Sequence, residues 1–371
     1  MDPELYRVIV ILLTGSLVAA SCALVGTFLV LRRMALIGDA ISHAVLPGIV
    51  LGFLASQSRH PLVMLLGAAA AGLVTVWLVE LLHRSRRLSE DSSIAVVFPA
   101  LFALGVLLIA RIRYVDLDLD CVIFGRIEDV DRKPLVLFGS DVGPRSLWLL
   151  GIMLAVNLGL VLAFWKELKV STFDPALAES LGFRPQRLHY LLMTAVSLTT
   201  VAAFEAVGAV LVVAFLVVPA ATAYLLTDRL WVLFALAVGF GVLAVVGGYI
   251  LASEAFLNSV GAGAMATTAG MIFLLAWLAA PRHGLLAQFR RRRRLRRRFA
   301  RDLVLLHLRD LPKGSDVAQR VMAQFEWSGS VGRRVLDELE ADGLVRRDRE
   351  HIELTPAGER TAGDLERAYR K

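Results

Sequence analysis

The sequence predicts an all-α polytopic membrane protein of about eight or nine transmembrane helices, followed by a small α+β domain in the cytoplasm. Hydrophobic residues make up 57% of the 371 residues, whereas soluble globular domains contain about 45–50%. Residues 1–281 contain 18 Lys and Arg against 19 Asp and Glu, and residues 282–371 contain 22 against 14. A soluble single-domain protein is therefore excluded, and the chain divides into an apolar body and a basic, water-soluble one.

Nine apolar segments are long enough to cross a bilayer, which takes about 20 helical residues. The second is interrupted by Pro47 and Gly48. The sixth and seventh are separated only by Glu205 and its neighbours, so eight spans remain an alternative. Lys and Arg in the short loops predict an external N-terminus and a cytoplasmic C-terminus. The segments are residues 8–31, 35–55, 61–83, 92–112, 144–165, 188–204, 206–226, 230–252 and 259–280.

Three ionisable residues, two within these segments and one between the sixth and seventh, are candidates for function, since an ionisable group costs roughly 2.5–3.5 kcal/mol at mid-membrane. Asp39 and His43 are four residues apart on one helix face, and a carboxylate with an imidazole suits a divalent metal. Two copies of this helix at a dimer axis would supply four ligands. Alternatively, Asp39 caps the helix and His43 is a satisfied buried histidine. Glu205 is either a second pathway group or an interfacial residue at an external turn.

The sequence contains no site for ATP hydrolysis. A P-loop requires the pattern G-x-x-x-x-G-K-[ST], whose amides bind phosphate. None of the five lysines follows such a glycine pattern. The chain is therefore predicted not to be an enzyme, and any use of ATP must come from another subunit.

Three blocks of sequence resemble the permease subunits of ABC importers for zinc, manganese and iron. They are ALIGDAISHAVLPGIVLGFL from Ala35, FEAVGAVLVVAFLVVPAATAYLL from Phe204 and LAAPRHGLL from Leu278. The resemblance covers about residues 5–287. It implies a dimeric permease in the bacterial plasma membrane, two cytoplasmic ATPase subunits and an extracytoplasmic metal-binding lipoprotein. It also implies that a divalent metal ion is the transported substrate, with no permanently bound cofactor.

The resemblance assigns roles to two groups of residues. Asp39 and His43 match the Asp-x-x-x-His pair of the family, which holds metal in the pathway. The segment 171–183 resembles the element that couples these permeases to their ATPases. It has the features of a short rigid helix, with Asp174 as N-cap, Pro175 in the first turn and Gly182 at the end; an ordinary loop helix is the alternative. The predicted coupling residues are Phe173, Asp174, Pro175, Leu177, Ala178, Leu181 and Gly182.

A basic tract and a further domain follow the permease-like region. Next to a span, such a tract attracts anionic lipid at about 1 kcal/mol per residue; nucleic-acid binding is the alternative and is unlikely so close to the bilayer. The predicted divisions are a permease domain over residues 1–287, a basic juxtamembrane linker over 288–300 and a cytoplasmic domain over 301–371. The arginines of the tract are Arg290, Arg291, Arg292, Arg293, Arg294, Arg296, Arg297 and Arg298.

The last domain resembles a winged helix-turn-helix. Helical periodicity covers residues 302–309, 316–325 and 330–342, two short strands flank Asp348–Glu350, and a closing helix covers 356–369. Because the domain is tethered to a membrane, we expect a regulatory or protein-docking module rather than a reader of genomic DNA. Its predicted core is Leu303, Leu306, Val317, Val321, Val335, Leu339, Leu344, Ile352 and Leu354.

The sequence thus predicts the permease subunit of an ATP-driven importer for manganese, zinc or iron. Two alternatives remain open at this stage. One is a membrane-anchored winged-helix transcriptional regulator, and the other is a metal carrier that works without ATP.

Overall fold

A computed structural model of the chain describes residues 2–56, 61–85, 87–111, 127–132, 134–137, 140–253, 259–281, 284–310, 329–348 and 351–369. The chain divides into two compact units, Met1–Ala280 and Pro281–Lys371. The first consists almost entirely of helices, and the second combines helices with one β-hairpin.

Within the described residues, nine helices are long and apolar enough to span a membrane. This number confirms the predicted fold class. Two shorter helices, α6 (Trp165–Phe173) and α7 (Pro175–Ser180), lie between the fifth and sixth spans. The nine spanning helices are α1 (Pro3–Leu31), α2 (Ala35–Ser56), α3 (Pro61–Arg84), α4 (Glu90–Arg111), α5 (Arg145–Ala163), α8 (Pro185–Val207), α9 (Ala209–Leu226), α10 (Leu230–Ala252) and α11 (Gly261–Ala279).

Four helices, α1, α2, α8 and α9, form the interior of the first unit. At least half of the apolar window is buried in each of them, against 33% or less in the other five. Small residues bring these helices close together, because a Cβ atom at Gly26 of α1 would lie 1.9 Å from the carbonyl oxygen of Leu216 in α9. In lipid, such close van der Waals contact drives helix association. The helix that carries Asp39 and His43 is therefore an inner one.

Helix α2 continues through Pro47, so the predicted interruption is wrong. A proline removes one backbone hydrogen bond, and neighbouring helices pack closely against α2 on both sides of this residue. A Cβ atom at Gly48 would lie 2.2 Å from the carbonyl oxygen of Gly67 in α3, and one at Gly105 of α4 would lie 2.9 Å from Cδ of Pro47. Contacts with α3 and α4 on both sides thus hold α2 as one helix.

The sixth and seventh spans separate at Gly208. This residue has φ 79° and ψ 169°, and it ends α8 and begins α9. That conformation is almost exclusive to glycine, so a single residue makes the break. Glu205 was expected to lie between the two spans, but it belongs to the last turn of α8.

A short 3-10 helix, Ile127–Arg132, and a hairpin of strands β1 (Pro134–Leu137) and β2 (Ser140–Pro144) precede α5. The strands pair antiparallel, with Leu137 opposite Ser140. The carboxylate of Glu128 accepts a hydrogen bond of 2.6 Å from the backbone N–H of Gly261, the first residue of α11. An acidic group at a helix N-terminus is stabilising, so this contact fixes the 3-10 helix against the bundle.

The second unit contains α12 (Leu285–Asp310), α13 (Gly329–Ala341), a hairpin and α14 (Pro356–Tyr369). The hairpin strands are β3 (Val345–Asp348) and β4 (His351–Leu354), with Val345 opposite Leu354 and Asp348 opposite His351. The predicted hairpin and closing helix are therefore confirmed. The predicted helix over 316–325 lies outside the described residues, and the winged-helix resemblance stays a prediction.

The predicted linker over residues 288–300 lies within the continuous helix α12, and its role as a linker stays a prediction. The core also uses another face of that helix: Val304, Leu305 and Leu308 are buried, whereas Leu303 and Leu306 are only partly buried. Since residues 303–306 are all apolar, their sequence did not identify the buried face. The remaining buried core residues are Ala300, Val335, Leu336, Leu339, Val345, Ile352 and Ala362.

Candidate functional site

Asp39 and His43 form a pair near the start of α2. The Nε2 atom of His43 lies 3.5 Å from Oδ1 of Asp39, beyond the usual range of about 2.7–3.2 Å for a good hydrogen bond. In the single subunit the side chains are 39% (His43) and 45% (Asp39) exposed. Asp39 is the fifth residue of the helix, so it is not the N-cap that the alternative interpretation required, and His43 is not fully buried.

Two aromatic residues of α4 stand beside the imidazole. Its ring centroid lies 5.4 Å from that of Phe98 and 6.1 Å from that of Phe102. These rings limit where the imidazole can turn and provide no metal ligand. The neighbouring residue Ser42 is buried and donates its hydroxyl hydrogen to the carbonyl oxygen of Gly38, 2.8 Å away. The pair therefore lies on a more exposed face of α2 than its neighbours.

One subunit does not complete a metal site within the described residues. They contain no group of three or more His, Cys, Asp or Glu side chains that could hold a metal ion. Tetrahedral zinc sites use four ligands when structural and three protein ligands when catalytic. Within the described residues, Asp39 and His43 can thus offer two ligands and no more than a part of such a site.

Glu205 does not join this pair. Its Oε2 atom lies 3.8 Å from an Nη atom of Arg145 at the start of α5, and its side chain is 42% exposed. Glu205 is also two residues from the end of α8. The ion pair accounts for its charge and favours the interpretation that Glu205 is interfacial.

The segment 171–183 contains a short helix, Pro175–Ser180, with the N-cap and the C-terminal glycine that the sequence predicts. Oδ1 of Asp174 accepts a hydrogen bond of 2.9 Å from the backbone N–H of Leu177, and Pro175 begins α7. Gly182 has φ 83° just beyond the helix. Its N–H bonds the carbonyl oxygen of Glu179 at 3.0 Å. The helix is therefore closed at both ends by side-chain and backbone contacts.

The apolar residues among the predicted coupling residues differ in exposure: one is buried and three are exposed. Ala178 is fully buried, whereas Phe173, Leu177 and Leu181 are 61%, 48% and 58% exposed. Three large apolar side chains within nine residues form an exposed patch of the kind that marks protein–protein contact. We call Phe173, Leu177 and Leu181 the apolar patch.

A cavity of about 560 Å³ lies beside this segment. Residues from the α1–α2 turn, the end of α3, α6, α7 and the start of α8 line it, among them Arg32, Glu80 and His189. Across its wall, Arg84 and Gln186 both donate to Oε1 of Glu80, at 2.6 and 3.3 Å. Arg32 could not be identified as a site residue from the sequence, because the residues that it contacts lie about 140 positions away in the chain.

The arginines of the basic tract lie on α12. Arg291, Arg292, Arg294 and Arg298 are exposed. Large apolar side chains flank them on the same helix, with Phe289 and Phe299 59% and 57% exposed. Charged and apolar groups that are exposed together suit the interface of an anionic bilayer.

Comparisons with known proteins give a consistent result. The model of the ABC 3 transport family matches residues 5–280. The manganese transport system membrane protein MntD of Bacillus subtilis (strain 168) is 46% identical over 279 residues, which cover 75% of this chain and 94% of that protein. The zinc transport system membrane protein TroD of Treponema pallidum (strain Nichols) is 39% identical over 356 residues, covering 94% of this chain and 96% of that protein.

The similarity extends to solved structures and to the second unit. PsaBC from Streptococcus pneumoniae in complex with Fab matches with a TM-score of 0.62 and 31% identity, covering 75% of this chain and 93% of that one. The alignment with TroD covers too much of this chain to end with the first unit. At least one relative therefore shares sequence beyond the spanning helices.

Proposed function

Because the chain belongs to the ABC 3 transport family, we propose that it is the permease subunit of an ABC importer that moves a divalent metal ion into the cytoplasm. The cargo is manganese, zinc or iron(II). The names of the two relatives, a manganese and a zinc transport protein, support this choice. Separate ATPase subunits supply the energy, and an extracytoplasmic metal-binding lipoprotein delivers the ion. The importer lies in the bacterial plasma membrane.

The observation that carries the proposal is the exposed pair of Asp39 and His43 on an inner helix. An ionisable group in a membrane span is a functional candidate by default. Carboxylate and imidazole are ligands for each of the three metals. The 3.5 Å separation of the pair leaves its atoms loosely engaged with each other and free to bind a passing ion.

A second permease subunit, identical or related, completes the site in this proposal. Two copies of the Asp39–His43 pair would give four ligands. A site formed at the interface of two subunits opens when the subunits move apart. Weak binding is an advantage for transport, since the ion must leave as well as enter. Glu205 is not included in the ligand set, because its carboxylate is paired with Arg145.

The ATPase subunits bind the apolar patch in this proposal. The α6–α7 segment lies between two spans, as an element pushed by a moving subunit should. Asp174, Pro175 and Gly182 set its shape, Ala178 anchors it to the bundle, and the exposed patch makes the contact. With the predicted topology, this segment and the C-terminus are both cytoplasmic.

The second unit, with the basic tract at its start, is proposed to be a regulatory or docking module held at the inner bilayer surface. We expect that replacing four exposed tract arginines by glutamine lowers the anionic phospholipid retained by the purified protein by about tenfold or more, at about 1 kcal/mol per residue. Mass spectrometry of the retained lipid measures this change. The replaced residues are Arg291, Arg292, Arg294 and Arg298.

A matched variant controls for the loss of charge. It replaces four exposed arginines elsewhere in the same unit and should retain lipid as the unaltered protein does. Equal lipid loss in both variants would contradict a specific role for the tract. The control residues are Arg334, Arg346, Arg360 and Arg367.

ATP-dependent uptake in proteoliposomes tests the proposed function. The chain, co-purified with its ATPase subunits and supplied with its lipoprotein, should accumulate radioactive Mn²⁺ or Zn²⁺ only when ATP is present on the cytoplasmic side. Uptake of the same size without ATP would favour a carrier. Uptake by neither route, together with sequence-selective DNA binding by the full chain, would favour the membrane-anchored regulator.

A further inference from the structure

Arg32 joins two parts of the first unit that the proposed function assigns to different tasks. Its Nε atom donates to Oγ1 of Thr172 and an Nη atom donates to Oγ of Ser171, both at 3.1 Å. The two hydroxyls lie in the last turn of α6, directly before the apolar patch begins at Phe173. Arg32 itself lies in the turn that leads into α2. One side chain thus connects the coupling segment with the helix that carries Asp39 and His43.

The turn between α1 and α2 is short and internally bonded. The N–H of Arg33 bonds the carbonyl oxygen of Val30 at 3.1 Å, and that of Met34 bonds Leu29 at 2.9 Å. These two bonds make a Schellman motif, with Arg33 at φ 63° in the position that usually holds glycine. Because α2 begins at Ala35, Asp39 lies only four residues into the helix that this turn starts, just over one helical turn or about 6 Å.

The guanidinium of Arg32 is held by neutral groups. Among the described residues it has no ion pair within 4.0 Å, and the acceptors of its two hydrogen bonds are hydroxyls. Burial lowers the pKa of Arg32 to about 10, so the side chain stays charged at neutral pH. Ser171 also donates to the carbonyl oxygen of Leu168 at 3.2 Å, which aims its lone pairs at the guanidinium. Hydrogen bonds to neutral hydroxyls orient the α1–α2 turn relative to α6. They hold the guanidinium less tightly than an ion pair with a buried carboxylate would.

The cavity of about 560 Å³ lies at the same junction. Residues of the α1–α2 turn and of the end of α3 line it together with Ser171, Thr172, Pro175 and Glu179. The coupling segment therefore has space to move relative to α2 while Arg32 keeps the two connected.

We propose that Arg32 is a positioning residue that transmits the movement of the α6–α7 segment to α2 and so couples ATP hydrolysis to opening of the Asp39–His43 site. This inference rests on the proposed function. A residue in this role acts through its two hydroxyl partners and needs no contact with the metal. Its removal should separate ATP hydrolysis from transport without stopping hydrolysis.

The test measures ATP hydrolysed per Mn²⁺ imported by the assembled transporter in proteoliposomes. For Arg32→Gln we expect hydrolysis within about twofold of the unaltered complex and an ATP-to-metal ratio about tenfold higher, the size of a typical coupling between sites. Arg33→Asn is the matched control. It removes a charge from the same turn, and asparagine tolerates a positive φ, so the ratio should not change.

A second variant distinguishes coupling from a merely structural role. Ser171→Ala with Thr172→Val removes both acceptors, and it should raise the same ratio by a similar factor. Adding Arg32→Gln to it should have no further effect, because residues that act through one contact are not additive. The proposal would be overturned if the combined variant raised the ratio by the product of the two separate factors. It would also be overturned if Arg32→Gln left the ratio unchanged, or if that variant lost assembly and hydrolysis. If the unaltered complex imports no metal, the proposed function fails instead.

Discussion

Replacing Asp39 and His43 together with alanine is expected to reduce metal uptake by about 100-fold or more. Even outer-sphere partners of metal ligands cost 10–100-fold in affinity or activity when mutated, and this variant removes all the ligands that one subunit offers. Both side chains are partly exposed, so truncation should leave no large cavity in the bundle. Initial rates of Mn²⁺ and Zn²⁺ uptake in proteoliposomes measure the effect.

Two further measurements make this loss interpretable. ATP hydrolysis by the complex should persist, since neither residue lies in the coupling segment. Ser42→Ala, which removes an inward-pointing hydroxyl from the same helix, should retain uptake within about twofold, as expected of a single helix-internal hydrogen bond. Normal uptake by the double variant would contradict the proposed pathway. If Glu205→Gln reduced uptake as much as the double alanine variant does, Glu205 would also have to be part of the metal pathway.

The spanning helices were predictable because their signal is local. Spanning the bilayer requires about 20 apolar residues, and the part of the chain that the structure describes contains nine helices of that kind, as predicted. The capping of α7 was predictable for the same reason, since Asp174 bonds a backbone N–H only three residues away. The resemblance of the first two sequence blocks to a transporter family is also confirmed by the match over residues 5–280, which ends within the third block.

Tertiary packing decided the features that the sequence did not predict. Pro47 does not interrupt α2, because Gly67 and Gly105 on two other helices allow close contact there. The break between the sixth and seventh spans depends on the backbone conformation of Gly208. The sequence analysis placed this break at Glu205 because of its charge. The arginines of 290–298 indicate a polar segment, but their sequence did not show that the segment belongs to a long helix.

The candidate site was predictable only in part, for a related reason. The spacing of Asp39 and His43 placed them on one helix face, and the structure brings them within 3.5 Å. The contacts of Arg32 join residues about 140 positions apart, and no local pattern marks them. What would complete the proposed metal site is equally non-local, because the described residues contain no group of three or more side chains that could hold a metal ion.

The helix ends of α2 and α6 suggest how the parts work together in the proposed transporter. A short path runs from Phe173 through Thr172 and Arg32 to Asp39. In the proposal it joins the apolar patch, the hydrogen bonds of Arg32 and the Asp39–His43 pair, in that order. Movement along such a path requires an intact contact at its start. The apolar patch is therefore the point at which a substitution should have its largest effect on ATP use.

Leu177→Asp with Leu181→Asp is expected to weaken binding of the ATPase subunits by at least about 30-fold, since residues that dominate an interface contribute 2 kcal/mol or more. The two leucines are 48% and 58% exposed in the single subunit, so charge there should not disturb the fold. A buried carboxylate without a partner would, however, oppose the interface. Co-purification and a titration of the detergent-solubilised permease with ATPase subunits measure the loss.

Leu177→Met with Leu181→Met is the matched control, because methionine keeps the apolar surface and about the same volume. It should bind the ATPase subunits normally and import metal. The aspartate variant should lose uptake and stimulated hydrolysis together, unlike Arg32→Gln, which keeps hydrolysis. Normal ATPase binding by the aspartate variant would show that the subunits dock elsewhere. The exposed leucines would then be a surface for another partner, and α7 would have no part in coupling.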